Sequence, residues 1–442
     1  MTSIPPRSPA IFGRILPGVL FLLVVIVPPS IRADAATDAL GKGVDDLKDK
    51  AYDRAIADFS ETIRLKPSFG EAYYNRGLAH ADKGEYDKAI ADYNEAIRLE
   101  PKFSLAYNNR GNAYNDERDY DKAIADFNEA IELNPNLDIA YYNRGCAYDA
   151  KNDHDKAVAD FSDAIRLNPN DALAYFARGI SNGNKGDSGR AIADFNEAIL
   201  LDPNDALAYF NRGVVYTRKG DNDKAIASFS DAIHLNPNYA EAHFRRGSAY
   251  FAKHDYDKAI ADLNETIRLN PNDAFARIIR GTAYADNHEY DKAMTDFTEV
   301  IRFDPKNTLA YRARGRTYSK MNDYGNAITD YGEAIRLSPN DAEARNNLAW
   351  LWAVCPEAKL RNGVKAMEYA KKACELSNWK NAYAIGTLAA ACAEAGDFDD
   401  AVKWENKQLT FPLSKAEAVE ACQRLSLYEK KMPYHEEKDH FQ

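Results

Sequence analysis

Apolar and small residues recur along most of the chain in pairs of helical stripes separated by short polar stretches. In one such stretch Tyr107, Gly111 and Tyr114 fall on one helical face, and Ala123, Phe127, Ala130 and Ile131 fall on another. Spacings of three and four residues put these side chains on one side of a helix. Between them, Glu117, Arg118, Asp119, Tyr120 and Asp121 form a polar, turn-like segment, so the pattern predicts a helix A, a turn and a helix B. The unit repeats. Prolines at 67, 101, 135, 169, 203, 237, 271, 305 and 339 are 34 residues apart without exception. A glycine series from Gly43 to Gly315, an alanine series from Ala55 to Ala327 and a large apolar slot running from Phe59 to Tyr331 keep the same period. A fixed period with several fixed slots is the mark of a repeat architecture.

Glycine and alanine let the two helices of a unit approach closely, and the ring four residues after each alanine fills the space beside them. Pro-Asn-Asp, as in Pro169, Asn170 and Asp171, ends helix B and offers an aspartate to cap the next helix A. One hairpin cannot bury its own apolar face, so neighbours must stack. The order aromatic-x-x-x-Gly-x-x-Tyr, Ala-x-x-x-Phe, Pro, carried by Tyr107, Gly111, Tyr114, Ala123, Phe127 and Pro135, resembles the tetratricopeptide repeat. That resemblance implies an all-α fold, a right-handed α-solenoid of helix-turn-helix units with helix A lining the concave side. It covers nine regular units over 36–341. Two divergent hairpins are expected over 342–414, the first carrying a longer loop at 355–363, and then a C-terminal capping helix and polar tail over 415–442.

The first 35 residues follow a different pattern. Arg7 and Arg14 precede an apolar run at 15–27, and Ala33, Asp34 and Ala35 follow. A basic start, a short apolar core and a small-x-small site read as a secretory signal peptide. Thirteen residues make about 20 Å of helix, short of a hydrocarbon core of about 30 Å. Cleavage and export, periplasmic or secreted, are therefore expected, with an uncleaved anchor through 15–27 as the alternative. The formal net charge is −11. Three arginines and one aspartate leave with the first 35 residues, which takes the remainder to −13. That sign argues against nucleic acid, whose affinity comes from neutralised phosphates. Cys146, Cys355, Cys374, Cys392 and Cys422 show no C-x-x-C and no ladder, and read mainly as small buried helix residues.

The repeats leave no stretch long enough for a catalytic domain, and no phosphate loop, nucleophile elbow or metal motif is present, so neither enzyme chemistry, a cofactor nor a metal is expected. The histidines are scattered over different slots, with His80, His154 and His243 standing in aromatic ones. Arg76, Arg110, Arg144, Arg178, Arg212, Arg246, Arg280 and Arg314 precede the repeat glycines, and Asp58, Asp92, Asp126, Asp160, Asp194, Asp262, Asp296 and Asp330 share their period, which predicts a ladder of ion pairs broken at Ser228.

By the resemblance, positions two, five, six and nine of helix A line the groove. Position six carries Asn75, Asn109, Asn143 and Asn211, a row similar to the asparagine ladders of peptide-binding members, and an amide can both donate to and accept from a peptide unit. Position five carries Tyr142, Phe176, Phe210 and Phe244, and position two Ile139, Leu173 and Leu207, which together suggest an apolar interface band over repeats 4 to 8. The expected role is a scaffold that binds a partner protein or peptide in the cell envelope. A chaperone-like holder of extended clients, gripped by the asparagine row, is the second reading, and an accessory subunit of a transferase the third.

Overall fold

The computed structural model describes residues 35–437, so the proposed signal or anchor segment lies outside the described residues. These residues hold twenty-three α-helices and fall into two compact units that divide between Pro237 and Asn238.

The first unit contains six hairpins, A before B: α1 (Ala35–Lys48) with α2 (Tyr52–Leu65), α3 (Gly70–Asp82) with α4 (Tyr86–Leu99), α5 (Ser104–Asp116) with α6 (Tyr120–Leu133), α7 (Asp138–Ala150) with α8 (His154–Leu167), α9 (Ala172–Asn184) with α10 (Ser188–Leu201), and α11 (Ala206–Arg218) with α12 (Asn222–Leu235). The second unit continues with α13 (Ala240–Ala252) and α14 (Tyr256–Leu269), α15 (Ala274–Asp286) and α16 (Tyr290–Phe303), and α17 (Thr308–Lys320) and α18 (Tyr324–Leu337). It ends with α19 (Ala342–Val354) and α20 (Gly363–Leu376), α21 (Ala382–Glu394) and α22 (Phe398–Gln408), and a last helix, α23 (Lys415–Glu429). Each unit is an α-solenoid segment in which every helix packs on its neighbours in sequence.

Local chemistry sets the helix ends. Asp171 caps α9, its carboxylate accepting from the amides of Leu173 at 2.9 Å and Ala174 at 3.2 Å. The residue before each periodic proline is forced out of the helical region. Asn168, for example, sits at φ −132° and ψ 87°, and α8 stops there. The A-to-B turn needs a left-handed residue, supplied by glycine at Gly84, Gly186 and Gly220 and by asparagine at Asn152 and Asn322. Arg118, His254 and His288 take that conformation at φ 60–64°, at a cost of roughly 1 kcal/mol each.

The core of each regular hairpin is the ring on helix B lying on the glycine of helix A, except in α13–α14, where Leu263 takes the place of the ring beside Gly247. A Cβ added at Gly111 would stand 2.7 Å from Cε1 of Phe127, and one at Gly213 would stand 2.6 Å from Cε1 of Phe229. Phe127, Phe161, Phe195 and Phe229 are fully buried as a result. The period-34 glycine is thus required by the ring opposite it rather than by backbone freedom.

The loop between α19 and α20 contains a turn of 3-10 helix at Ala358–Leu360. Arg361 pins this loop, donating to Glu394 at 3.0 Å and to the Cys355 carbonyl at 2.9 Å. The start of the expected polar tail does not trail away. The Glu436 amide donates to the Val354 carbonyl at 2.9 Å, and His435 Nε2 lies 2.7 Å from Glu394. Four of the five cysteines are buried and unpaired, and Cys422 is exposed and unpaired. Among the described residues no helix is long and apolar enough to cross a membrane, and no cluster of side chains suits a metal ion.

Candidate functional site

The position-five side chains point into their own hairpin, not into an open groove. Tyr142, Phe210 and Phe244 are only 4%, 1% and 5% exposed. The Tyr142 ring centroid is 5.6 Å from that of Phe161, and Phe210 is 5.7 Å from Phe229. Phe176 packs on Phe195 at 5.8 Å and is half-buried, as is Ile139. The expected continuous interface band therefore does not exist at these slots, because the rings complete the core between helices A and B. Leu173 and Leu207, at position two of α9 and α11, are exposed.

The asparagine row is buried as well. Asn75, Asn109, Asn143 and Asn211 are all withdrawn from water. Position six faces the seam between successive A helices. Asn143 Nδ2 donates to Asn108 Oδ1 at 3.1 Å, Asn108 donates to Asn109 at 2.9 Å, and Asn109 donates to the Tyr74 hydroxyl at 2.9 Å. This chain of amides ties α3, α5 and α7 together. Asn211 donates to the Leu207 carbonyl one turn back, and Asn75 has no partner at either end of its amide. An exposed ladder that reads a peptide backbone is not what these residues form.

The arginines do form the expected ladder. Arg76, Arg110, Arg144, Arg178, Arg246, Arg280 and Arg314 each grip the aspartate sixteen residues on with two nitrogens, the shorter contacts being 2.5–2.7 Å. The third nitrogen reaches back to helix B of the preceding repeat, as from Arg110 to Asn94 and from Arg144 to Asn128, each 2.6 Å. Arg76, Arg110, Arg144, Arg178, Arg280 and Arg314 thus each staple three helices, which the spacing alone did not reveal. The rung changes at Arg212, which donates to Ser228 at 3.0 Å and to the exposed Asp231 at 3.4 Å. The histidines in aromatic slots are held by nearby carboxylates, His80 by Glu85 and His154 by Asp149.

A polar cavity of about 230 Å³ lies in the divergent C-terminal part. Three helices present one face each to it. Helix α19 gives Asn346, Asn347 and Trp350; α21 gives Tyr383, Gly386 and Thr387; α23 gives Glu417, Glu420 and Arg424; and Gln408 closes it from the end of α22. Glu417 is part of a capping box, accepting from the Ser414 amide at 2.7 Å and from the Tyr383 hydroxyl. The Tyr383 hydroxyl and then Ser414 pull its carboxyl down to about 2. Arg424 crosses the floor, donating to Glu405 Oε1 at 2.8 Å and to Gln408 Oε1 at 3.0 Å, with its guanidinium 5.8 Å from the Trp350 ring. Glu405 is fully buried, its second oxygen has no partner, and burial lifts its carboxyl to about 7 against the pull of Arg424. Beside it Glu436 accepts from Trp350 Nε1 at 2.9 Å and is likewise raised to about 7 by burial. Gly386 makes room for this arrangement: a Cβ there would stand 2.3 Å from Gln408 Oε1.

A family model described as tetratricopeptide repeat matches residues 70–103, 104–137, 139–171 and 240–273, and one described as TPR repeat matches 184–220, 215–254 and 315–351. Together they account for just over half of the chain. The chain is a tetratricopeptide-repeat protein. Among solved structures, yeast Tom70 is similar at 18% identity over 90% of this chain and 96% of its own, with a TM-score of 0.44. YrrB, titled a TPR protein with an unusual peptide-binding site, is 24% identical over 42% of this chain and 95% of its own, with a TM-score of 0.38. MamA is 28% identical over 37% of this chain and 96% of its own, with a TM-score of 0.36. No curated protein matches the chain.

The TPR pattern gave no sign of the cavity, which sits past the last regular repeat. A weaker signal was present. In α22 the buried stripe is Ala401, Glu405 and Gln408, and in α23 it is Ala421, Arg424 and Tyr428. Opposite charges at core positions of two consecutive helices mark a buried pair, because neither charge can be left there alone.

Proposed function

We propose that this TPR protein is a non-catalytic scaffold of the cell envelope, exported by residues 1–35 and holding a partner polypeptide on the A-helix face of its repeats. TPR arrays are protein-interaction modules, and the described residues of this one consist of helical hairpins from end to end. The observation that carries the reading is the pair Leu173 and Leu207. They occupy the same slot of adjacent repeats and are 38% and 44% exposed, although the regular fold could have buried or replaced them. Leucines at solenoid spacing offer two apolar anchors to one extended segment. The chaperone-like alternative rested on an open asparagine row, and that row is buried.

The test is co-purification of partners from an envelope fraction with the full chain, beside the double variant Leu173→Glu and Leu207→Glu. Both side chains reach water, so helicity and melting should be retained. Loss of one stoichiometric partner from the variant supports the reading. Recovery of the same proteins by both chains would remove its basis.

A further inference from the structure

The cavity between α19, α21 and α23 holds more hydrogen-bonding capacity than the protein itself uses. Thr387 and Gln408 both line it, and they are only 2% and 5% exposed. Gln408 spends its carbonyl oxygen on Arg424, while its amide nitrogen has no partner among the described residues, and neither does the Thr387 hydroxyl. The Asn346 carbonyl oxygen is sealed from water and also unpartnered. Polar groups withdrawn from bulk water are nearly always paired, and the Thr387 hydroxyl and Gln408 amide open onto the cavity, so they point to a ligand that completes them there.

The charge of the walls narrows the ligand. The one cation, Arg424, is committed to Glu405 and Gln408. Glu417 stays ionised, and Glu420, exposed on the next turn of α23, makes no hydrogen bond or ion pair with any described residue. The uncommitted charge at the mouth is therefore negative. Trp350 and Tyr383 supply aromatic wall between the carboxylates and the floor. A volume of about 230 Å³ is below the roughly 300–1,000 Å³ of sites that enclose a whole small molecule, and suits one side chain.

We infer that this pocket receives a basic side chain, lysine or arginine, of the bound polypeptide, its cation against Glu420 and Glu417 and its apolar stem along Trp350 and Tyr383. Long basic side chains bury their stems while the charged head stays near water, which the open mouth beside Glu420 permits. Thr387 and Gln408 then meet the adjoining peptide unit. The inference rests on the reading of the chain as a holder of polypeptide.

The experiment is calorimetric titration of the full chain with the blocked peptides acetyl-Gly-Arg-Gly-amide, acetyl-Gly-Lys-Gly-amide and acetyl-Gly-Gln-Gly-amide. The basic peptides should bind and the glutamine peptide should not. Glu420→Gln, at an exposed side chain with no hydrogen bond or ion pair to any described residue, should melt like the parent and weaken the basic peptides about three- to tenfold. Thr387→Val, nearly equal in size, should weaken them by a smaller factor. Equal binding of the glutamine peptide, undiminished binding by both variants, or no binding by the parent would each overturn the inference. If the peptides fail while the Leu173 and Leu207 variant still loses its partner, the scaffold reading survives without the pocket. If the peptides bind in a Glu420-dependent way while the leucines prove idle, the pocket survives and the leucine face does not.

Discussion

Arg144 and Arg424 each lay a guanidinium against a carboxylate on a neighbouring helix, and the surroundings make them different devices. Arg144 keeps 19% of its side chain in water and Asp160 keeps 7%; both aspartate oxygens are bound, and the third nitrogen reaches Asn128. Arg424 is 8% exposed and Glu405 not at all; both nitrogens fall on a single oxygen, and the other oxygen is left bare. The first arrangement recurs through the regular repeats as a staple. The second occurs once, under a cavity, and leaves capacity unspent. A repeated, half-solvated, fully satisfied pair registers helices, whereas a single buried, half-satisfied pair holds a polar floor that a close-packed apolar core could not provide.

Breaking the buried pair should have the largest effect. Glu405→Ala strands the Arg424 charge, and we expect a loss of about 3–5 kcal/mol. The double variant Glu405→Met with Arg424→Met should recover most of that loss, since apolar side chains of similar volume remove both desolvation penalties together. All four tryptophans, Trp350, Trp352, Trp379 and Trp404, lie in this part of the chain. Tryptophan fluorescence in urea therefore follows the C-terminal hairpins, while far-ultraviolet dichroism follows the whole array. A double variant as unstable as the single one would show that the pair is needed for itself.

The same buried carboxyls give the next effect, a pH dependence. Glu405 and Glu436 are raised from 4.5 to about 7 by burial. The folded state holds their protons more tightly than the unfolded chain does. Their stabilising contribution is therefore complete below about pH 4.5 and is lost as pH rises through about 7. The groups facing them are Arg424, which opposes both shifts, Trp350, which opposes that of Glu436, and Glu420, which adds to it. Each carboxyl contributes roughly 3 kcal/mol at most. The fluorescence midpoint should fall between pH 5 and pH 8, and Glu436→Gln should flatten the slope. A midpoint that rises over this range would place the charged forms, not the neutral ones, in the folded state.

Smaller still is the removal of one staple. Arg144→Met leaves Asp160 in a site where burial already pushes its carboxyl up, and we expect a loss of about 1–3 kcal/mol. Arg212→Met should lose under about 1 kcal/mol, because the partners left behind are a serine and an exposed aspartate. Equal losses would mean that the arginines act through their packing on Tyr141 and Tyr209 rather than through the acids.

These two regions also differ in how far the sequence disclosed them. The period of 34, the glycine under each ring and the Arg–Asp spacing of sixteen residues are local or strictly periodic, so they could be read directly. Positions five and six of helix A could not be assigned in the same way. Phe210 and Asn211 stand 100° apart on the helix, and either could face the groove, helix B or the next helix A. Only the packing of three helices decides, and it placed Phe210 on Phe229 and Asn143 on Asn108. The pocket was further out of reach, because the loop at 355–363 breaks the register that had located every other slot, and its walls come from four helices.

The smallest expected effect is the most direct test of the ladder, since it restores a rung instead of removing one. In repeat 6 the acid slot holds Ser228, which is 1% exposed and accepts from Arg212 Nε at 3.0 Å. The third nitrogen of Arg212 already reaches Asn196 at 3.0 Å, as its equivalents do in neighbouring repeats. Ser228→Asp would place a carboxylate where the fork of Arg212 can close on two oxygens, replacing the long 3.4 Å reach to Asp231. The gain is the attraction of a half-buried pair less the cost of withdrawing one new charge from water, and we expect about 0.5–1 kcal/mol, read as a rise in the dichroism midpoint. Arg212→Met in the same background should erase the gain and fall below the parent, because it leaves the new aspartate bare. If Ser228→Asp destabilises the chain with Arg212 in place, the rungs are tolerated features of the seam, and the rings on their glycines carry the registration of the helices alone.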